Sequence, residues 1–125
     1  MAVWHIPRYN LSLAQGLPFL DDIWNDLYKA GVELVVNAHH YYYARFAPMD
    51  PSGKADDARG IREFIVGTGG SPLDKRNWTC SRNCQAFEHD TLGLLKLTLH
   101  PDGYDWAFVP EPGKTFNDAG SGTCH

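Results

Sequence analysis

Between Pro18 and Asn37 the chain spells a helix, a glycine stop and a buried strand without interruption, and no other stretch limits the fold as much. Pro18 suits a first helical position, where its missing N–H would be unpaired anyway. Asp21 and Asp22 place negative charge at the positive end of the helix dipole. Phe19, Leu20, Ile23, Trp24, Leu27 and Tyr28 recur at helical spacing and build one broad apolar face. Gly31 closes the helix as the residue just past its end. Residues 32–37 then read as a buried strand. Helix, glycine and apolar strand in this order predict part of a β-α-β unit, and so an α/β fold.

The strand runs into His39-His40-Tyr41-Tyr42-Tyr43. So many ligand-capable side chains just past a buried strand mark a candidate metal site. His39 and His40 face opposite sides if the strand continues, and share a side only if a turn follows at once. Tyr41 can serve as a phenolate ligand to a hard ion such as ferric iron, or remain a phenol. Tyr42 and Tyr43 suit half-buried packing or an interface. Tyr43 is also counted with Arg45 on the substrate side, because the Arg45 fork matches a phosphate bidentately. The competing reading of Arg45 is a structural salt bridge to Asp50 or Glu63.

Residues 2–6 read as a short strand ended by Pro7, and residues 8–16 as a loop. Residues 49–59 carry Asp-Pro and Ser-Gly turn signals and read as an exposed loop. Residues 61–66 form another strand, stopped by Gly67-Thr68-Gly69-Gly70, a run that opens no evident helix and is weak as a phosphate cradle. Residues 71–90 are poorly patterned. Residues 92–99 and 104–109 read as a hairpin around His100-Pro101-Asp102-Gly103. Leu95, Leu97 and Leu99 would share one face with Tyr104, Trp106 and Phe108. The tail from Pro110 is rich in Gly, Ser, Asp and Pro and reads as irregular. No repeat or linker divides the chain, so residues 1–125 are taken as one domain.

A net charge of −4 argues against non-specific nucleic-acid binding, which needs a basic surface. No apolar stretch is long enough to span a bilayer. The first residues lack both the basic start and the apolar core of a signal peptide. The chain is expected to be soluble and without a membrane partner. Its cysteines, Cys80, Cys84 and Cys124, are odd in number. One disulfide with one free thiol fits that count. A zinc site from Cys80, Cys84, Cys124 and His125 is a second reading, with a looser Cys spacing than the usual knuckle.

The order of segments resembles a known family. Ala2-Val3-Trp4-His5, the helix, Val35-Val36-Asn37-Ala38-His39 and Tyr43-x-Arg45-Phe46-Ala47-Pro48 carry the likeness. Residues 60–70, Gly93-Leu94-Leu95-Lys96-Leu97, Tyr104-Asp105-Trp106 and residues 120–125 extend it. Together they resemble the C-terminal half of calcineurin-like metallophosphoesterases, nearest to the purple-acid-phosphatase-like bacterial enzymes. The resemblance implies half of a metallophosphoesterase-type β-sandwich with a flanking helix and a strand-rich C-terminal part. In that family a two-metal cluster activates hydroxide against a phosphate ester.

The family's three N-terminal motifs, an Asp-x-Gly/His, a Gly-Asp and a Gly-Asn-His, are not in this sequence. The fourth motif, a small apolar residue followed by x-x-His, puts His5 forward as a ligand. The fifth, Gly-His-x-His, reads Ala38-His39-His40-Tyr41, so His39 matches and Tyr41 stands where the second histidine is expected. The resemblance therefore implies a reduced site, with His5, His39, His40 and Tyr41 as metal candidates and His39 and His40 as catalytic ones. His5 and His39 can equally be hydrogen-bonded histidines without a metal. The cofactor would be a divalent or trivalent transition metal such as zinc, iron, manganese or copper.

The functional expectation is a metal-dependent phosphoester hydrolase acting on a small phosphorylated substrate. The alternatives are a non-catalytic assembly module and a redox copper or iron enzyme. Half a sandwich would leave Leu95, Leu97, Trp106, Phe108 and the tyrosines exposed, which predicts a homo-oligomer, with a two-fold dimer favoured. The family and the cysteines together also allow secretion.

Overall fold

The computed structural model describes residues 1–11, 17–80 and 82–125, so part of the loop expected over residues 8–16 lies outside the described residues. The first strand, β1, is Ala2–Val3, shorter than the residues 2–6 expected. Its ladder nevertheless continues, with Trp4 N–H donating to Val36 O and Ala38 N–H to His5 O. A 3-10 turn at Pro18–Leu20 leads into helix α1, Asp21–Lys29. Gly31 ends it at φ 68°, and the N–H groups of Gly31 and Val32 cap the Tyr28 and Leu27 carbonyls. Strand β2, Leu34–Asn37, then returns parallel to β1 and completes the β-α-β unit.

The remaining strands are β3 (Tyr43–Phe46), β4 (Arg62–Val66), β5 (Cys84–Glu88), β6 (Gly93–His100), β7 (Gly103–Pro110) and β8 (Ala119–Thr123). They form a five-stranded mixed sheet in the order β1-β2-β4-β3-β5 and a three-stranded antiparallel sheet in the order β6-β7-β8. The result is an α/β, strand-rich fold in three layers. The alternation of β2, β3 and β4 divides the core in two. Val35, Tyr42, Ala44, Phe46 and Ile65 pack with Trp24 on the helix side. Leu34, Tyr43 and Phe64 pack with Tyr104, Trp106 and Phe108 of the second sheet.

Several expectations are corrected. The hairpin face and the tyrosine run were expected to be exposed, but Trp106, Phe108 and Tyr43 are buried between the chain's own two sheets, and Tyr42 is buried on the helix side of the larger sheet. Leu99 was expected on that inner face and instead stands 58% exposed. The tail is not irregular throughout, since β8 pairs with β7 and sets Gly122 opposite Tyr104 and Gly120 opposite Trp106. A Cβ on Gly120 would lie 2.4 Å from Trp106, and one on Gly122 2.4 Å from Tyr104, so the aromatic rings fill the space those glycines leave. Cys80 and Cys84 form a disulfide and Cys124 is a free, exposed thiol, which removes the four-residue zinc reading. Asp21 is more than a dipole partner, because it pairs with Arg8.

Candidate functional site

Two parallel neighbours deliver the histidines. β1 and β2 run side by side, with Val3 opposite Val36, so the residues leaving their carboxyl ends emerge together. His5 Nε2 lies 3.2 Å from His39 Nδ1, and both side chains are exposed. The two rings meet edge to face at 5.1 Å between centroids. Beneath them Asn37 is buried and donates its side-chain N–H to Trp4 O at 2.9 Å, tying the two strand ends together.

The backbone past β2 is bent hard. His39 has φ 58°, a left-handed conformation that costs an ordinary residue about 1–2 kcal/mol. Across it, His40 N–H donates to Ala38 O at 2.6 Å, and Tyr42 N–H donates to His40 O at 2.8 Å, so two three-residue turns follow each other. Gly67 permits this course, since a Cβ there would lie 1.8 Å from His40 O. Strained backbone of this kind gathers at functional sites.

The turn places His40 beside His39, with ring centroids 5.1 Å apart, but not in the same setting. His40 stacks on the buried Tyr42 ring at 5.3 Å and meets Trp78 edge-on at 6.2 Å. Burial, and then the nearby His39 and Arg76, lower its pKa from the ordinary value. Tyr41 stands half exposed to solvent. Among the described residues, no group of three or more His, Cys, Asp or Glu is arranged to hold a metal ion.

Tyr43 and Arg45 point into another part of the molecule. Tyr43 is fully buried between the sheets and donates its hydroxyl to Asp118 at 2.6 Å. Burial and then that hydrogen bond raise its pKa well above the ordinary phenol value. Arg45 grips Asp118 with both arms of its fork, at 2.8 and 2.9 Å, and also bonds Gln85. The partner expected for Arg45 was Asp50 or Glu63; it is Asp118, 73 residues away. Glu63 instead lies fully buried in β4, and its carboxylate accepts the backbone N–H of Arg8 at 2.9 Å and of Tyr9 at 3.1 Å. It thereby anchors the segment that follows His5, and burial pushes its pKa up to about 8.

Trp78 was not anticipated as part of this site. The signal that could have raised it is a single tryptophan flanked by Arg76 and Cys80 in an otherwise unpatterned stretch.

No family model and no curated protein matches the sequence. Among solved structures the chain is similar to one described as GAP50, the anchor in the inner membrane complex of Plasmodium, with a TM-score of 0.69 over 96% of this chain at 17% identity. The chain spans 34% of that protein's length. At this identity the likeness is one of fold.

Proposed function

We propose that this chain is a metal-binding protein of the metallophosphoesterase lineage. In this reading His5 and His39 hold one transition-metal ion, and a second copy of the chain supplies further donors. The observation that carries the proposal is the 3.2 Å separation of His5 Nε2 and His39 Nδ1 at the tips of adjacent parallel strands. Two imidazole nitrogens in tetrahedral positions on one zinc ion, each at about 2.0–2.1 Å, are about 3.3 Å apart. His5 matches the histidine of the fourth motif and His39 the first histidine of the fifth, whose second histidine position is held by Tyr41.

The donors fit part of a one-ion site and do not fit a two-ion cluster, because no carboxylate joins the imidazole pair among the described residues. A bound ion would supply Lewis acidity and a nucleophilic hydroxide for a phosphate ester. The chain's own contribution is to hold two imidazoles close together and accessible to solvent, with Asn37 fixing the strand ends and Glu63 fixing the segment behind His5. This reading puts the dimer seam along β1, the edge strand that leads into His5, where Val3 and the neighbouring Met1 are exposed.

No helix of the described residues is long and apolar enough to cross a membrane, and the disulfide suits an oxidising compartment, so secretion belongs to the same proposal.

Zinc titration calorimetry and elemental analysis test the metal. Wild-type protein is expected to retain zinc and to sediment as a dimer when loaded. His5→Ala and His39→Ala are expected to lose both properties. Metal content unchanged by either substitution would overturn the assignment. Hydrolysis of a chromogenic phosphate monoester tests the hydrolase part, with zinc-dependent turnover lost in His39→Ala. Zinc binding without turnover would favour a second reading, a non-catalytic assembly module. The shortage of acidic donors beside the imidazoles is the observation that supports that alternative.

A further inference from the structure

The segment from Asp74 to Cys80 takes no part in the histidine pair, yet it is fastened at both ends and laid over His40. At its start, Asp74 N–H donates to Tyr41 O at 2.9 Å. The Asp74 carboxylate brackets Arg76 at 2.6–3.1 Å, and the Arg76 guanidinium lies 4.5 Å from the Trp78 ring centre. Trp78 then meets Tyr42 at 5.5 Å and His40 at 6.2 Å, both edge-on. Two residues later Cys80 is bonded to Cys84, the first residue of β5. β5 is paired along β3, which begins at Tyr43 just past this cluster. One end of the segment is therefore held by a hydrogen bond and the other by a covalent bond.

We propose that the Asp74-to-Cys80 segment is a cover over His40, and that the Cys80–Cys84 disulfide is its redox-operated latch. A disulfide that joins residues four positions apart keeps Trp78 at high effective concentration against His40 and Tyr42. An external dithiol opens it by ordinary exchange. One thiolate attacks a cystine sulfur, the S–S bond breaks and a mixed disulfide forms. The reductant's second thiol then closes on the first and releases the other cysteine. Two electrons and two protons reach the protein, which gains two thiols, and the reductant leaves as a disulfide. With the latch open, the segment keeps the Trp78 ring contacts, the Asp74 hydrogen bonds to Tyr41 and His89 and the Lys75–Asp90 ion pair, and loses the Cys80–Cys84 bond that fixes its far end. His40 becomes a third accessible imidazole beside His5 and His39. Only that last consequence rests on the metal reading; the cover itself does not.

Carbethoxylation of His40, mapped by mass spectrometry in the presence of a chelator, measures the uncovering without any metal. The exposed His100 serves as internal reference. His40 is expected to react at least five-fold faster relative to His100 in protein treated with a dithiol than in oxidised protein, and to slow again on reoxidation. Cys80→Ser/Cys84→Ser should match the reduced protein. Trp78→Ala should be fast in both redox states, and it keeps the test available if the double serine variant fails to fold. Equal His40 reactivity in oxidised and reduced wild-type protein overturns the proposal, as does a redox response that survives Trp78→Ala. Zinc affinity of the double serine variant with and without His40→Ala then reads the third-donor role separately.

Discussion

The short stretch from His39 to Arg45 begins in one kind of environment and ends in another. At the Arg45 end the charged and phenolic groups are paired. The guanidinium is forked onto Asp118, Tyr43 donates to the same carboxylate, and Arg45 and Arg62 both lie within about 5 Å of the Trp106 ring. At the His39 end the backbone is in a left-handed conformation, the His5 and His39 imidazoles face solvent, and among the described residues no group of three or more His, Cys, Asp or Glu gathers around their two close nitrogens. The first region has the signature of a group that holds a fold together, and the second that of a group held in place by the fold. A phosphate-binding arginine would need a free fork, and Arg45 does not have one. Tyr43, buried with its hydroxyl committed, has no open side for a substrate either.

The largest test of this contrast is Asp118→Ala. It leaves the Arg45 guanidinium, 12% exposed, without its carboxylate, and the Tyr43 hydroxyl without its acceptor. Breaking a buried pair from one side costs about 3–5 kcal/mol, and this partly open one is expected near 3. Urea denaturation should show that loss. Zinc binding by the protein that remains folded should be unchanged. A stable Asp118→Ala protein with altered zinc affinity would collapse the distinction between the two regions.

The same contrast accounts for what could be read in advance. The β1-α1-β2 unit and the β6-β7 hairpin were legible because each carries its own period, 3.6 for the helix face and 2 for the strands. β3 begins among three tyrosines, which mask its alternation even though Tyr42 and Tyr43 point to opposite cores. β8 is Ala-Gly-Ser-Gly-Thr, with almost no strand propensity of its own, and exists because Trp106 and Tyr104 lie over its glycines. In the site, the family resemblance singled out His5 and His39, and it is the parallel pairing of β1 with β2 that brings them together within one chain. The Asp118 partner of Arg45 and the Trp78 cover come from distant chain, and no local pattern announces a contact of that kind.

A smaller effect should come from Glu63, which supports the site from below without touching the histidines. Arg8 faces it, Arg8 in turn pairs with Asp21, and Tyr9 packs alongside. Burial raises the Glu63 pKa to about 8, above the value it takes in an unfolded chain. The folded form therefore holds a proton that the unfolded form has already lost. The stability this confers is fully present below about pH 4.5 and is lost as pH rises towards 8, by no more than about 1.4 kcal/mol per pH unit. Glu63→Gln keeps an oxygen for the Arg8 and Tyr9 N–H groups and should flatten that slope. Denaturation midpoints from pH 5 to 9 measure it. A wild-type slope of the opposite sign would mean that the two backbone donors and Arg8 outweigh burial.

The smallest effect bears most directly on the strained end. At an ordinary position alanine is more stable than glycine by about 0.5–1 kcal/mol, because glycine loses more freedom on folding. At φ 58° the order should invert. His39→Ala keeps the left-handed cost and His39→Gly removes it, so glycine should be the more stable of the two by about 1 kcal/mol. Both variants lack the imidazole and should fail to bind zinc equally. Thermal denaturation of the pair therefore separates the backbone's contribution from the ligand's. If alanine proves the more stable, His39 is not held against its own preference, and the strain that marks this end of the molecule as a site is absent.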